Sequence, residues 1–201
     1  ENVAWDRIEV PPALGRLRAP SAIVFGSLAL RAPANRLALS SLVAAWPKTL
    51  RVLDLNLRAP FDHGPGVALA LRHAQLVKLN DEELSRMSGA PVRTLSQIEA
   101  AAGRFAAEHR LMRVCVTAGA RGAGLLWDDR WYWENGRPIT VRDTIGSGDA
   151  FLAAFLAAHF ARHESPVDAL ASACRLGEFV ATRDGATPPY RCDARGRRVE
   201  S

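Results

Sequence analysis

The chain predicts an α/β fold with a mainly parallel central sheet, and three observations lead there. Apolar runs of strand length alternate with stretches whose apolar residues recur at helical spacing, glycine, asparagine or acidic residues close the runs, and the β-α-β-α rhythm holds through residues 22–117. With 201 residues, 48% of them hydrophobic, the chain can bury one substantial core, and no shift in composition marks a second domain.

Ala22–Phe25 is the first apolar run, closed by Gly26-Ser27, and fits a buried strand. Asn35–Trp46 carries apolar residues at helical spacing until Pro47 stops it. Arg51–Leu55 is the second strand, and a loop with Pro60, Gly64 and Pro65 leads to a short helix over Val67–Arg72. Leu76–Leu79 is the third strand, followed by the acidic helix start Asp81-Glu82-Glu83. Thr94 and Gln97 have the spacing of a capping box, which opens a helix running to about Glu108. Arg113–Thr117 is a further strand, broken at Gly119, Gly122 and Gly124. Gly124–Trp127, Trp131–Glu134 and Thr140–Arg142 then read as a small antiparallel meander, turned at Asp128-Asp129 and Asn135-Gly136. Two helices close the fold. Ala150–Ala161 is apolar nearly all round and too short to span a bilayer, as a buried core helix is. The last helix has Ser165 as cap, Pro166 at its first position and Asp168 in its first turn, and runs to about Thr182 before Gly185 ends it.

The formal charge is +5, but the basic residues, all arginine except Lys48 and Lys78, are scattered between apolar segments, so no nucleic-acid stripe is expected. The one cluster, Arg191, Arg195, Arg197 and Arg198, lies in a polar tail and reads as a solvated end. Cys115, Cys174 and Cys192 form neither an even set nor a Cys-x-x-Cys pair, which points away from disulfides and zinc and toward a reducing cytoplasm. No signal peptide and no membrane span is found, so no membrane partner is expected.

The chemistry concentrates in Asp143-Thr144-Ile145-Gly146-Ser147-Gly148-Asp149-Ala150-Phe151. Gly146 and Gly148 let the backbone approach a ligand, and the helix that follows directs the free N–H groups of its first turn at whatever sits there. That ligand should be an anion. Asp149, in the first helical turn, is placed to take a proton from an attacking hydroxyl. The same letters are also what an ordinary capped helix shows, and spacing alone does not separate the two.

The segment resembles the D-T-x-G-A-G-D-x-F signature of the ribokinase-like (PfkB) sugar kinases, with Ser147 in place of the commoner alanine. The resemblance implies a three-layer α/β/α, Rossmann-like ribokinase fold, with Asp149 as catalytic base and Gly146, Ser147 and Gly148 as the anion hole. It implies a monovalent cation of the potassium class near Asp143, Ile145, Arg183 and Gly185. Asn80 and Glu83 match the family's N-x-x-E pattern, where the glutamate keeps Mg²⁺ at the phosphates through water. Thr117, Gly119 and Gly122 are similar to its T-x-G-x-x-G nucleotide loop, and Gly185-Ala186-Thr187-Pro188 to the segment closing round adenine and the cation. Asp54, Asn56, Arg58 and Pro60 resemble the D-x-N-x-R-x-P segment of fructokinase-like members, in which the Asn and Arg face the sugar and phosphates, and Phe25–Arg31 resembles an earlier strand end of the same members. Taken without that resemblance, the second segment is a solvated strand end with Arg58 paired to Asp54.

The resemblance covers the whole chain and implies ATP-dependent phosphorylation of a sugar hydroxyl, with sugar, ATP and Mg²⁺ as ligands and a homodimer as the assembly to consider. Fructose or a related hexose is the first expected acceptor. A 2-keto-3-deoxy sugar acid comes next, because Arg58 suits a carboxylate, then ribose or a nucleoside. A kinase-like protein that binds nucleotide without turnover is the alternative of another class. Glu1–Ile8 reads as the middle of a segment, so this is expected to be the carboxyl-terminal, nucleotide-binding portion of a kinase domain.

Overall fold

The computed structural model describes residues 3–199, so Glu1 and Asn2 of the Glu1–Ile8 stretch lie outside the described residues. The fold is α/β, with a mainly parallel sheet whose strands keep sequence order, β1 to β6. The chain forms two compact units that divide between Cys115 and Val116.

In the first unit β1 (Ala22–Gly26), β2 (Leu50–Asp54) and β3 (Leu76–Asn80) pair in parallel, Val24 beside Val52 and Leu53 beside Val77. Parallel strands need crossovers, and these are α1 (Pro33–Ala45) and α2 (Pro65–His73), each with proline in its first turn, where a missing N–H costs nothing. Val52, Leu53, Leu76 and Val77 are fully buried, as continuous apolar runs in a covered sheet must be. α3 (Asp81–Ser88) and α4 (Leu95–His109) follow, and Thr94 and Gln97 form the expected capping box. β4 (Arg113–Thr117) carries the chain across the boundary.

One feature of this unit has no counterpart in the sequence reading. Asn35, 1% exposed, donates from Nδ2 to the carbonyls of Trp5 and Ala29 and accepts from the Ile8 amide, while Asp6 pairs with Arg31 at 2.8 Å. A short polar side chain thus satisfies two backbone groups of the stretch around residues 5–8 and ties it to the Ala29 carbonyl of the turn before α1.

The second unit holds a hairpin of β5 (Gly122–Trp127) and β6 (Arg130–Asn135). Asp128 and Asp129 turn it with φ of 47° and 66°, the paired left-handed conformation that matches strand twist. The expected third strand at Thr140–Arg142 is not formed. The amides of Arg142 and Asp143 both go to the Ala181 carbonyl instead of to a strand. α5 (Ser147–Leu156) continues as a wide π turn over Ala157–Ala161, and α6 (Pro166–Ala181) is capped by Ser165. Phe155, Ala158, Ala169, Leu170 and Ala173 form its core.

The basic tail is only partly the solvated end expected of it. β7 (Arg191–Cys192) and β8 (Arg198–Val199) form a small ribbon around Asp193, whose carboxylate accepts from the amides of Arg195 and Arg197. The Arg198 guanidinium lies 4.4 Å from the Phe179 ring centre on α6, and Arg197 pairs with Glu164 at 3.0 Å. Among the described residues no helix is long and apolar enough to cross a membrane.

Candidate active site

The site is built from the start of α5. Gly146 is the cap, with φ of 79°, and a Cβ there would overlap the backbone of Ala186. Both facts demand glycine. Ser147 donates its amide and its hydroxyl to the Thr144 carbonyl, so the amides left without a helical acceptor are those of Gly148 and Asp149. They add to the positive end of the helix dipole. Asp149 is exposed in this first turn, and its carboxylate makes no hydrogen bond among the described residues.

A cavity of about 410 Å³ opens beside this turn. Thr117 and Gly119, at the end of β4, line it together with Gly122, Ser147 and Gly148, so the structure brings the nucleotide-loop and signature residues to one place. The remaining walls were not anticipated. Pro138 and Ile139 come from the connection after β6 and Val141 from the stretch expected to be a strand, and Phe151, Cys174 and Glu178 from the two helices. An extended segment after a hairpin has no periodicity to mark it.

Asp143 braces the turn. Its Oδ1 accepts from the Ile145 amide at 2.9 Å and its Oδ2 from the Gly185 amide at 3.2 Å, which ties the start of the signature to the loop after α6. Arg183, in the same loop, stacks on Phe179 at 5.0 Å. The four residues expected near a monovalent cation therefore belong to two loops that Asp143 joins.

The residues expected at the sugar and at magnesium, Asn56, Arg58, Asn80 and Glu83, lie in the first unit. Asn56 follows β2 with φ of 41° and is exposed, as is Arg58. Asp54 does not pair with Arg58 as the plain reading had it. It stands opposite Lys78 in the strand register and accepts from its ammonium at 3.0 and 3.2 Å. Asn80 caps α3 by accepting from the Glu83 amide at 2.8 Å. Glu83, 7% exposed, accepts from the amides of Leu57 at 2.6 Å and Asn80 at 2.9 Å, one through each oxygen. Both oxygens thus hold backbone, and any role at a metal would run through their remaining lone pairs and water. Among the described residues no group of three or more His, Cys, Asp or Glu side chains would hold a metal ion. A magnesium ion fits here only as one carried by phosphates, keeping part of its water.

In the second unit a helix start with two amides free of helical acceptors thus stands beside an exposed carboxylate. A family model, the pfkB family carbohydrate kinase, matches residues 20–191. The chain belongs to that family. It is 31% identical over 123 residues to a 1-phosphofructokinase of Vibrio cholerae, a match covering 60% of this chain and 38% of that protein. It is 32% identical over 112 residues to a deoxyribokinase of Salmonella typhi, covering 55% of this chain and 36% of that one. Among solved structures, a Vibrio cholerae fructokinase double mutant in fructose-, ADP- and potassium-bound form aligns with a TM-score of 0.69 at 24% identity, over 86% of this chain and 59% of that chain. Arabidopsis thaliana ribokinase complexed with ribose and ATP aligns with a TM-score of 0.64 at 25% identity, over 76% and 47%. The chain thus spans little more than a third of these two curated relatives and about half of these two solved chains.

Proposed function

We propose that the protein transfers the γ-phosphoryl group of ATP to a hydroxyl of a sugar, with fructose or a related hexose as acceptor. The observation that carries this is the exposed Asp149 carboxylate in the same helical turn as the free amides of Gly148 and Asp149, a turn whose Ser147 and Gly148 line a cavity of about 410 Å³. The amides and the helix dipole stabilise charge on the transferred group, and Asp149 accepts the proton of the attacking hydroxyl. Asn56 and Arg58 are assigned to the acceptor, and Asn80 and Glu83 to the nucleotide side, Glu83 through water to the metal. Bound magnesium would neutralise charge on the β- and γ-phosphates. The fructose-bound fructokinase supports the choice of acceptor. A reducing cytoplasm accords with Cys115, Cys174 and Cys192, none of which forms a disulfide among the described residues.

The test is fructose-dependent ADP release, with ribose and a 2-keto-3-deoxy sugar acid in parallel. ADP release that rises with fructose supports the reading. ATP binding with no release on any sugar favours the nucleotide-binding alternative. We further propose that a monovalent cation sits between the loops that Asp143 joins, so activity in potassium should exceed activity in a bulky organic cation. Equal rates would remove the cation.

A further inference from the structure

We infer that Glu178 selects the base of the nucleotide, favouring a purine with an exocyclic amino group at its six-position over one with a carbonyl there. The inference rests on the nucleotide reading above. The free amides of the α5 start draw the phosphates to one part of the cavity, and Ala123, Pro138, Ile139, Val141 and Phe151 offer apolar walls for a flat ring. Such walls hold a ring without telling one purine from another.

Glu178 supplies the missing discrimination. It lines the cavity and its side chain is 16% exposed. Its Oε1 accepts from the Arg137 amide at 2.9 Å and lies 3.1 Å from the Arg175 guanidinium. Arg175 is held in turn by Glu134 at 3.0 Å and by the Asn135 carbonyl at 3.1 Å, so the carboxylate is fixed from two sides. Its other oxygen, Oε2, accepts no hydrogen bond among the described residues. A carboxylate oxygen only accepts. An amino group at the six-position donates to it, whereas a carbonyl at that position would set two acceptors against each other.

The experiment measures equilibrium binding of ATP, ITP and inorganic tripolyphosphate to the chain and to Glu178→Gln. The glutamine carbonyl can still accept from the Arg137 amide, while its NH₂ replaces the free oxygen with a donor. We expect ATP to bind at least about tenfold more tightly than ITP, the scale of one hydrogen bond to a charged group. In Glu178→Gln the ratio should fall to about one or invert, with tripolyphosphate binding unchanged. Equal binding of ATP and ITP by the native chain, or a ratio that Glu178→Gln leaves in place, would overturn the inference and leave the nucleotide reading standing. If neither nucleotide binds, both fail together.

Discussion

Asp149 is the residue on which the proposed chemistry turns, and its free carboxylate makes a specific prediction. Asp149→Asn keeps the helix start and its amides, so nucleotide affinity should hold while kcat falls by about 10²- to 10⁴-fold, the usual cost of losing a positioned base. Near-normal turnover by the Asn variant, measured with its best sugar, would take the role from Asp149. The cysteines give a second prediction. Burial pushes the Cys115 thiol up to about 12, and a neutral thiol is a poor nucleophile, whereas Cys192 is exposed in the tail ribbon. Brief alkylation of the folded chain, read by peptide mass, should label Cys192 and spare Cys115. At this scale the sequence reading reached far. Gly146, Ser147, Gly148 and Asp149 form the expected helix start, because a helix start is written locally. Glu178 stayed out of sight, because only the fold brings an α6 side chain to the strand-end loop.

At the scale of elements, the helices and parallel strands were legible to within two residues at most ends, since apolar periodicity and caps such as Thr94 and Ser165 are local. The meander was only half legible. Asp128-Asp129 makes its hairpin, but the amides of Arg142 and Asp143 go to Ala181 at the end of α6, a partner about forty positions away that no pattern announces. The tail ribbon was missed for the same reason. Its anchor is Glu164, whose carboxyl the Arg162 guanidinium holds below the usual glutamate range, with Ser172 and Arg197 adding to it. A depressed folded value means that this contribution is present above the unfolded value of about 4.3 and is lost as pH falls through the folded one. Ribbon amides at residues 193–198 should therefore exchange faster under acid, before the core does. At neutral pH Glu164→Gln should speed their exchange about fivefold, the equivalent of about 1 kcal/mol. Unchanged exchange in that variant would detach the ribbon from Glu164.

For the whole molecule, the division between Cys115 and Val116 falls inside a strand, and no proline, glycine or serine run marks it in the sequence. Ligand linkage reports on the chain as one quantity. At about 100 times its Kd, ATP should add about 2.7 kcal/mol and raise Tm by about 5 to 10 °C for a chain of this size. Scanning calorimetry with and without nucleotide checks this, and a Tm indifferent to ATP would leave the cavity without its proposed occupant. The crowding at Gly146 also matters for the gene. Any change to the first or second base of a glycine codon ends the chain or installs a residue with a Cβ, and that Cβ would meet the backbone of Ala186. In a library of random point mutants this codon should stay as invariant as that of the proposed base, though what is selected there is empty space.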